Sequence, residues 1–203
     1  KGEAILVPEN SPIQSLADLK GKRVALNKGS NVHYLLVRAL EQAGIGYDEI
    51  TPTFLAPADA RAAVASGAVD AWAIWDPFQA SAEQTLKARE LTNAEGLAPN
   101  YQFYFGDREF VTGNPEAVAA IIAAIGETGD WIRANPAAAA AELAPATGIP
   151  VDALELAISR QSFGVAPLTD EVVADQQAVA DTFEALGLLP KPVKVSDALA
   201  NGS

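Results

Sequence analysis

The 203-residue sequence contains no cysteine, no methionine and a single histidine, His33. Without cysteine there is no disulfide framework, no thiolate nucleophile and no Cys-based zinc or iron–sulfur centre. One histidine leaves Ser-His-Asp catalysis and multi-histidine metal sites almost nothing to work with, so no catalytic or metal residues are assigned and only carboxylate chemistry stays open to an enzyme. No run reaches the ~20 apolar residues that a membrane-crossing helix needs. Basic side chains are also few, 14 against 26 acidic, for a formal charge of −12. Neither sign gathers into a block, which argues against a nucleic-acid partner. A small anion remains compatible, because screening over a Debye length of ~10 Å lets a local dipole outweigh distant carboxylates.

What is present is the mixture of a soluble globular protein, 49% hydrophobic and 20% charged, long enough for one ordinary domain or two small lobes. Ala4-Ile5-Leu6-Val7 reads as a short strand stopped by Pro8. With no basic-then-apolar leader before it, the chain reads as a fragment lacking its native amino terminus. Ser15 and Asp18 fit a capping box closed by Gly21. Lys22 to Leu26 predicts a strand, and the Asn27-Lys28-Gly29-Ser30 turn hands over to a helix in which Val32, Leu35, Leu36, Ala39, Leu40 and Ala43 recur at intervals of three and four. A strand over Thr51–Leu55, a helix from Pro57 to Gly67, a buried strand within Val69–Trp75 and a helix opened by Asp76-Pro77 follow. This alternation predicts a mainly parallel sheet with helices on its faces. After a polar stretch, Tyr101–Phe105 predicts one more strand. Four helices then start at Asn114-Pro115, Asn135-Pro136, Pro150-Val151 and Thr169-Asp170, with Ala137–Ala141 extending the second.

The first turn of a helix carries unpaired N–H donors and about half a positive charge, so the turn at Gly29, Ser30, Asn31 and Val32 is suited to hold an oxyanion. The alternative is that Ser30 only caps its own helix. Trp75 and Asp76 lie at the next strand-to-helix turn, on the same carboxyl edge of the sheet. Trp75 offers an apolar wall and Asp76 an acceptor; the alternative is a core tryptophan followed by a capping aspartate. Asp59 and Arg61 open a third helix and fit either the crevice or the surface. Arg160 is a candidate rim contact for an oxyanion, or a helix-terminal arginine. His33 is read as solvated on the polar side of its helix, with no nucleophile or orienting acid beside it.

The segments Glu9–Ile13, Asp18–Ala25, Lys28-Gly29-Ser30, Pro57–Ala63, Gly67–Pro77, Phe163-Gly164-Val165 and Leu186–Lys191 together resemble the aliphatic sulfonate-binding proteins of ABC importers. The Ala-Trp-Ala-Ile-Trp-Asp-Pro run is the most specific of them. The resemblance implies an α/β, type II periplasmic binding protein fold, with a first lobe incomplete at its amino terminus. Residues 10–100 would form lobe II and residues 1–9 with 101–203 the rest of lobe I, joined by hinge crossings near 8–12 and 100–105. It implies a monomeric, periplasmic or otherwise extracytoplasmic protein without cofactor. A small organosulfonate or related anion would be captured between the lobes and passed to a membrane permease. Nitrate, taurine or a thiamine precursor is the alternative cargo, and an enzyme on the same fold or a sensor module the alternative roles. Ligand contacts carried by the resemblance are Ser30, the amides of Asn31 and Val32, Trp75 and Asp76.

Overall fold

The computed structural model describes residues 1–199. Two compact units divide the chain: Lys1–Asn100 with Ala137–Gln161, and Tyr101–Pro136 with the segment from Ser162 onward. In chain order the elements of the first hundred residues are strand β1 (Glu3–Val7), strand β2 (Arg23–Leu26), helix α1 (Asn31–Gln42), strand β3 (Thr51–Phe54), helix α2 (Pro57–Ser66), strand β4 (Ala71–Trp75), helix α3 (Phe78–Thr85) and strand β5 (Arg89–Asn93). Helices α4 (Arg108–Gly113), α5 (Pro115–Ala134), α6 (Pro136–Thr147), α7 (Val151–Arg160) and α8 (Asp170–Ala185) follow.

The five strands form one sheet in the order β3-β2-β4-β1-β5. Strand β2 runs parallel to β3 and β4, whereas β1 runs antiparallel to β4 and β5. The sheet is therefore mixed rather than mainly parallel. Period-two alternation sends the strand residues to two faces. Ile5, Val7, Val24, Leu26, Ala71 and Ala73 pack with Val32, Leu36, Ala39 and Leu40 of α1. Ala4, Leu6, Ala25, Trp72 and Ile74 pack with Ala60 and Val64 of α2 and Ala82 of α3. All of these strand residues are buried, as a sheet covered on both faces requires.

One predicted strand is missing, and two short elements appear that the sequence did not announce. Tyr101–Phe105 forms no strand: Tyr104 is 63% and Phe105 97% exposed, and aromatic propensity without a neighbouring strand to bond leaves the backbone in no ladder. Conversely β5, with the sequence Arg-Glu-Leu-Thr-Asn, is not predicted; charged and polar residues fill it, which an edge strand tolerates. The short helix α4 is likewise absent from the sequence reading; Asp107 caps it by accepting from the Glu109 and Phe110 amides.

In the first unit, β1 bonds inside the sheet, and α7 packs on α3 through Ala80, Ala153 and Ala157. The compact division thus groups residues 1–9 and 137–161 with 10–100, a different partition from the sequence boundaries. The second unit is helical. There Tyr101 Oη donates to Asp175 Oδ2 (3.0 Å) and Arg133 Nη1 to the Phe163 carbonyl (2.7 Å). An apolar groove of about 370 Å³ runs beside Phe103, Phe105, Leu168, Val172 and Val195 of this unit. No helix among the described residues is long and apolar enough to cross a membrane.

Candidate functional site

Because β1 runs against β4, its first residues arrive at the edge where β2, β3 and β4 end. Glu3 is the register partner of Trp75, and the Asp76 amide donates to the Gly2 carbonyl at 2.9 Å. Helix α1 starts after a four-residue turn beyond β2, on the same edge. Strand polarity thus gathers Gly29–Val32, Trp75, Asp76 and Glu3 into one neighbourhood of the first unit.

At the start of α1, Gly29 adopts a φ of +72°, the left-handed turn that glycine accepts without penalty. Ser30 occupies the cap position but makes no side-chain cap bond; its Oγ donates to the Asn27 carbonyl at 2.7 Å. Its carbonyl accepts from the His33 and Tyr34 amides at 3.0 and 3.3 Å, while the Ser30 amide leans on the Asn27 carbonyl at 3.4 Å. The Gly29 amide donates to His33 Nδ1 at 3.0 Å. Of the donors expected at this turn, the Asn31 and Val32 amides have no partner among the described residues. The simple-cap alternative for Ser30 therefore fails, and the Gly29 amide is already committed. Lys28 adds a cation beside the turn, its Nζ 5.4 Å from the centre of the Phe54 ring.

His33 is buried, which corrects the expectation of a solvated residue. It shares a helix face with Leu36 and Leu40, three and seven positions on, a signal present in the spacing. With Nδ1 accepting from Gly29, the ring carries its proton on Nε2, which lies 2.8 Å from Tyr47 Oη. Burial, and then the nearby Lys28 charge, push its pKa down to about 4. The ring is a neutral buttress under the turn, and its two nitrogens are engaged by an amide and a phenol rather than by an orienting acid.

Glu3 was not singled out in the sequence, although it stands in register with Ile5 and Val7, whose side chains enter the α1 face of the core. Its side chain is buried. Oε1 accepts from the Asn31 side-chain amide, and Oε2 has no hydrogen-bond partner. Burial pushes the carboxyl up to about 7, with the Asn31 bond pulling in the opposite direction. Trp75, half-buried beside it, meets Phe78 edge-on with ring centres 6.4 Å apart.

Asp76, one residue on, is held from the opposite side of the sheet. Its Oδ1 accepts from the Ala80 amide at 3.0 Å, capping α3, and its carboxylate receives Arg160 Nη1 at 3.3 and 3.4 Å. Arg160 Nη2 reaches Glu83 Oε2 at 2.5 Å. Burial pushes the Asp76 carboxyl up, against the pull of the Ala80 amide and the Arg160 guanidinium. Arg160 is thus matched by two carboxylates, and it ties α7 to the loop after β4. Asp59 is exposed in the first turn of α2, and the Arg61 guanidinium donates to Thr85 Oγ1 at 2.9 Å; neither contacts the Glu3–Asn31 cluster.

The first unit sets helix starts and a tryptophan along one carboxyl edge of an α/β sheet, and its fold matches solved periplasmic binding proteins. The chain superposes on the crystal structure of the periplasmic aliphatic sulphonate binding protein SsuA from Escherichia coli with a TM-score of 0.92. The two are 39% identical, over 98% of this chain and 65% of that one. The alkanesulfonate-binding protein SsuA from Xanthomonas axonopodis pv. citri, bound to MOPS, gives a TM-score of 0.89 at 40% identity, over 97% of this chain and 68% of that one. Residues 2–139 match the NMT1/THI5-like family, and the chain belongs to it. A protein of Escherichia coli (strain K12) named for aliphatic sulfonate binding is 41% identical over 196 residues, covering 96% of this chain. The chain spans 61% of that relative's length.

Proposed function

We propose that the protein is the solute-binding component of an ABC importer, and that it captures aliphatic sulfonates on the N-terminal turn of α1 for delivery to a membrane permease outside the cytoplasm. The observation that carries this reading is the uncapped start of α1, where Ser30 turns its hydroxyl to Asn27 and leaves the Asn31 and Val32 amides unpaired. A sulfonate is a permanent, weakly basic anion, so neutral amides bind it without competing for a proton. The positive end of the α1 dipole and Lys28 supply the favourable potential. Trp75 offers the apolar wall for the carbon tail. Asp76 and Arg160 serve as the frame that fixes Trp75, since each already has partners of opposite charge. Asp59 remains a candidate only for the outer rim. The likeness to sulfonate-binding relatives supports the cargo; the site geometry supports an anion.

Calorimetric titration of the intact protein with ethanesulfonate, longer alkanesulfonates, taurine, nitrate and a neutral aminopyrimidine tests the reading. Saturable binding of sulfonates ahead of the others supports it. Indifference to every sulfonate with tight capture of the heterocycle overturns it in favour of thiamine-precursor transport.

A further inference from the structure

We infer that Glu3 is a proton-linked gate on this anion seat, its neutral acid donating a hydrogen bond from Oε2 to the bound anion and its carboxylate repelling that anion. The inference rests on the α1 seat proposed above. Three observations carry it. Glu3 is fully buried; Oε1 is engaged by the side chain of Asn31, the first residue of α1; and Oε2 alone has no partner. Oε1 accepts from an amide, so in the neutral acid Oε1 is the carbonyl oxygen and Oε2 carries the proton. A buried O–H needs an acceptor, and an anion seated on the Asn31 and Val32 amides brings one that has acceptors only. The ionised form instead places a second negative charge beside the ligand in a poorly solvated setting, which raises the proton affinity of the carboxyl.

Among neighbouring charges, the ammonium at Lys1 pulls the Glu3 pKa down, but burial outweighs it and the Asn31 bond together. Asp76 is bonded to Arg160, and His33 faces Gly29 and Tyr47 in its neutral form. Lys1, at the start of the same segment, pairs with Glu95 at 3.7 Å. On α3 and β5, Glu83 and Glu90 converge on the Gln79 side chain. Lys28, whose charge reaches His33 under the same turn, favours the anion in either state of Glu3. The unliganded carboxyl titrates at about 7, so the linkage falls within the physiological range.

Titrating the intact protein with ethanesulfonate, whose charge is fixed across the range, from about pH 5 to about pH 9 should show affinity falling toward about tenfold per pH unit above the Glu3 pKa. Uptake of up to about one proton per ligand near pH 8 should appear in buffers of different ionisation enthalpy. Glu3→Gln, which keeps an acceptor for Asn31 and puts an N–H donor at the Oε2 position, should flatten the profile and bind at pH 9 at least about tenfold more tightly than the parent. Carboxyl carbon NMR of the parent gives a readout that survives a misfolded variant: the Glu3 pKa should rise when ethanesulfonate is added. Sulfonate binding with no proton uptake, an unmoved Glu3 pKa, or an unchanged pH profile in Glu3→Gln would overturn the gate while leaving the anion seat standing. Absence of sulfonate binding at every pH would remove the seat itself.

Discussion

Ser30 sits where a capping serine belongs and does not cap. A side-chain oxygen at this position ordinarily satisfies an amide of the second or third helical residue; here the hydroxyl is spent on the Asn27 carbonyl. Supplying the missing acceptor should therefore stabilise the fold and block the seat together. In Ser30→Asp the carboxylate would accept from the first-turn amides and meet the positive end of α1, adding about 0.5–1 kcal/mol of stability. Sulfonate affinity should drop by at least about tenfold, since the side chain offers the amides the same charge as the ligand. Chemical denaturation and calorimetry on one preparation read both effects, and a loss of stability or undiminished binding would count against the uncapped seat. A second residue-scale consequence follows from Arg160. Removing it in Arg160→Met leaves Asp76 and Glu83 without their shared cation in a largely dry setting, where breaking such a pair costs about 3–5 kcal/mol. Asp76→Asn, which retains the acceptor for the Ala80 amide, should cost clearly less by urea denaturation. The reverse order would mean that Arg160 contributes little to holding α7.

Secondary elements were legible in the sequence where local chemistry dictated them. Pro57 and Gly67 bracket α2, and the three-and-four spacing of α1 delivers the core face it promised. What the sequence could not disclose was pairing. Nothing within Ala4–Val7 announces that the strand lies antiparallel between β4 and β5, and that pairing alone brings Glu3 beside Trp75 and Asn31. The same limit hid how Asp76 is committed: Trp75 and Asp76 are adjacent in sequence, yet the Asp76 carboxylate is already engaged by α3 and α7. His33 and Glu3 carried a usable signal, their register with apolar neighbours, which reading by residue type passed over. The Gly67 stop allows a direct check on local backbone control. It ends α2 at a φ of +74°, and a Cβ there would meet no atom within 4 Å. Gly67→Ala should then cost only the left-handed backbone penalty, about 1 kcal/mol by denaturation. A much larger loss would point to the neighbouring Arg23 contact with the Gly67 carbonyl (3.0 Å) being disturbed as well.

At the scale of the molecule, two buried titratable groups pull stability in opposite directions with pH. His33 is held neutral, its folded pKa of about 4 lying below the model-peptide value of 6.5. The unfolded chain therefore binds the extra proton, and this contribution is present above pH 6.5 and lost as pH falls toward 4. Glu3 has the opposite sign, because its folded pKa of about 7 lies above its ordinary 4.5. The folded state holds the extra proton, so this contribution is full below pH 4.5 and lost as pH rises to 7. Between those limits the two slopes oppose each other, each on the order of 1 kcal/mol per pH unit. Removing one exposes the other. Relative to the parent, Glu3→Gln should gain stability steadily from about pH 4.5 to 7 and hold a constant difference above that. Within the variant itself, stability should fall as pH drops below about 6.5, the signature of His33, opposed only toward the acid end by the buried Asp76 carboxyl, whose pKa is also raised. Urea denaturation of both proteins at matched pH values measures the difference directly; a parent–variant gap that does not vary with pH would show that Glu3 ionises alike in the folded and unfolded chains.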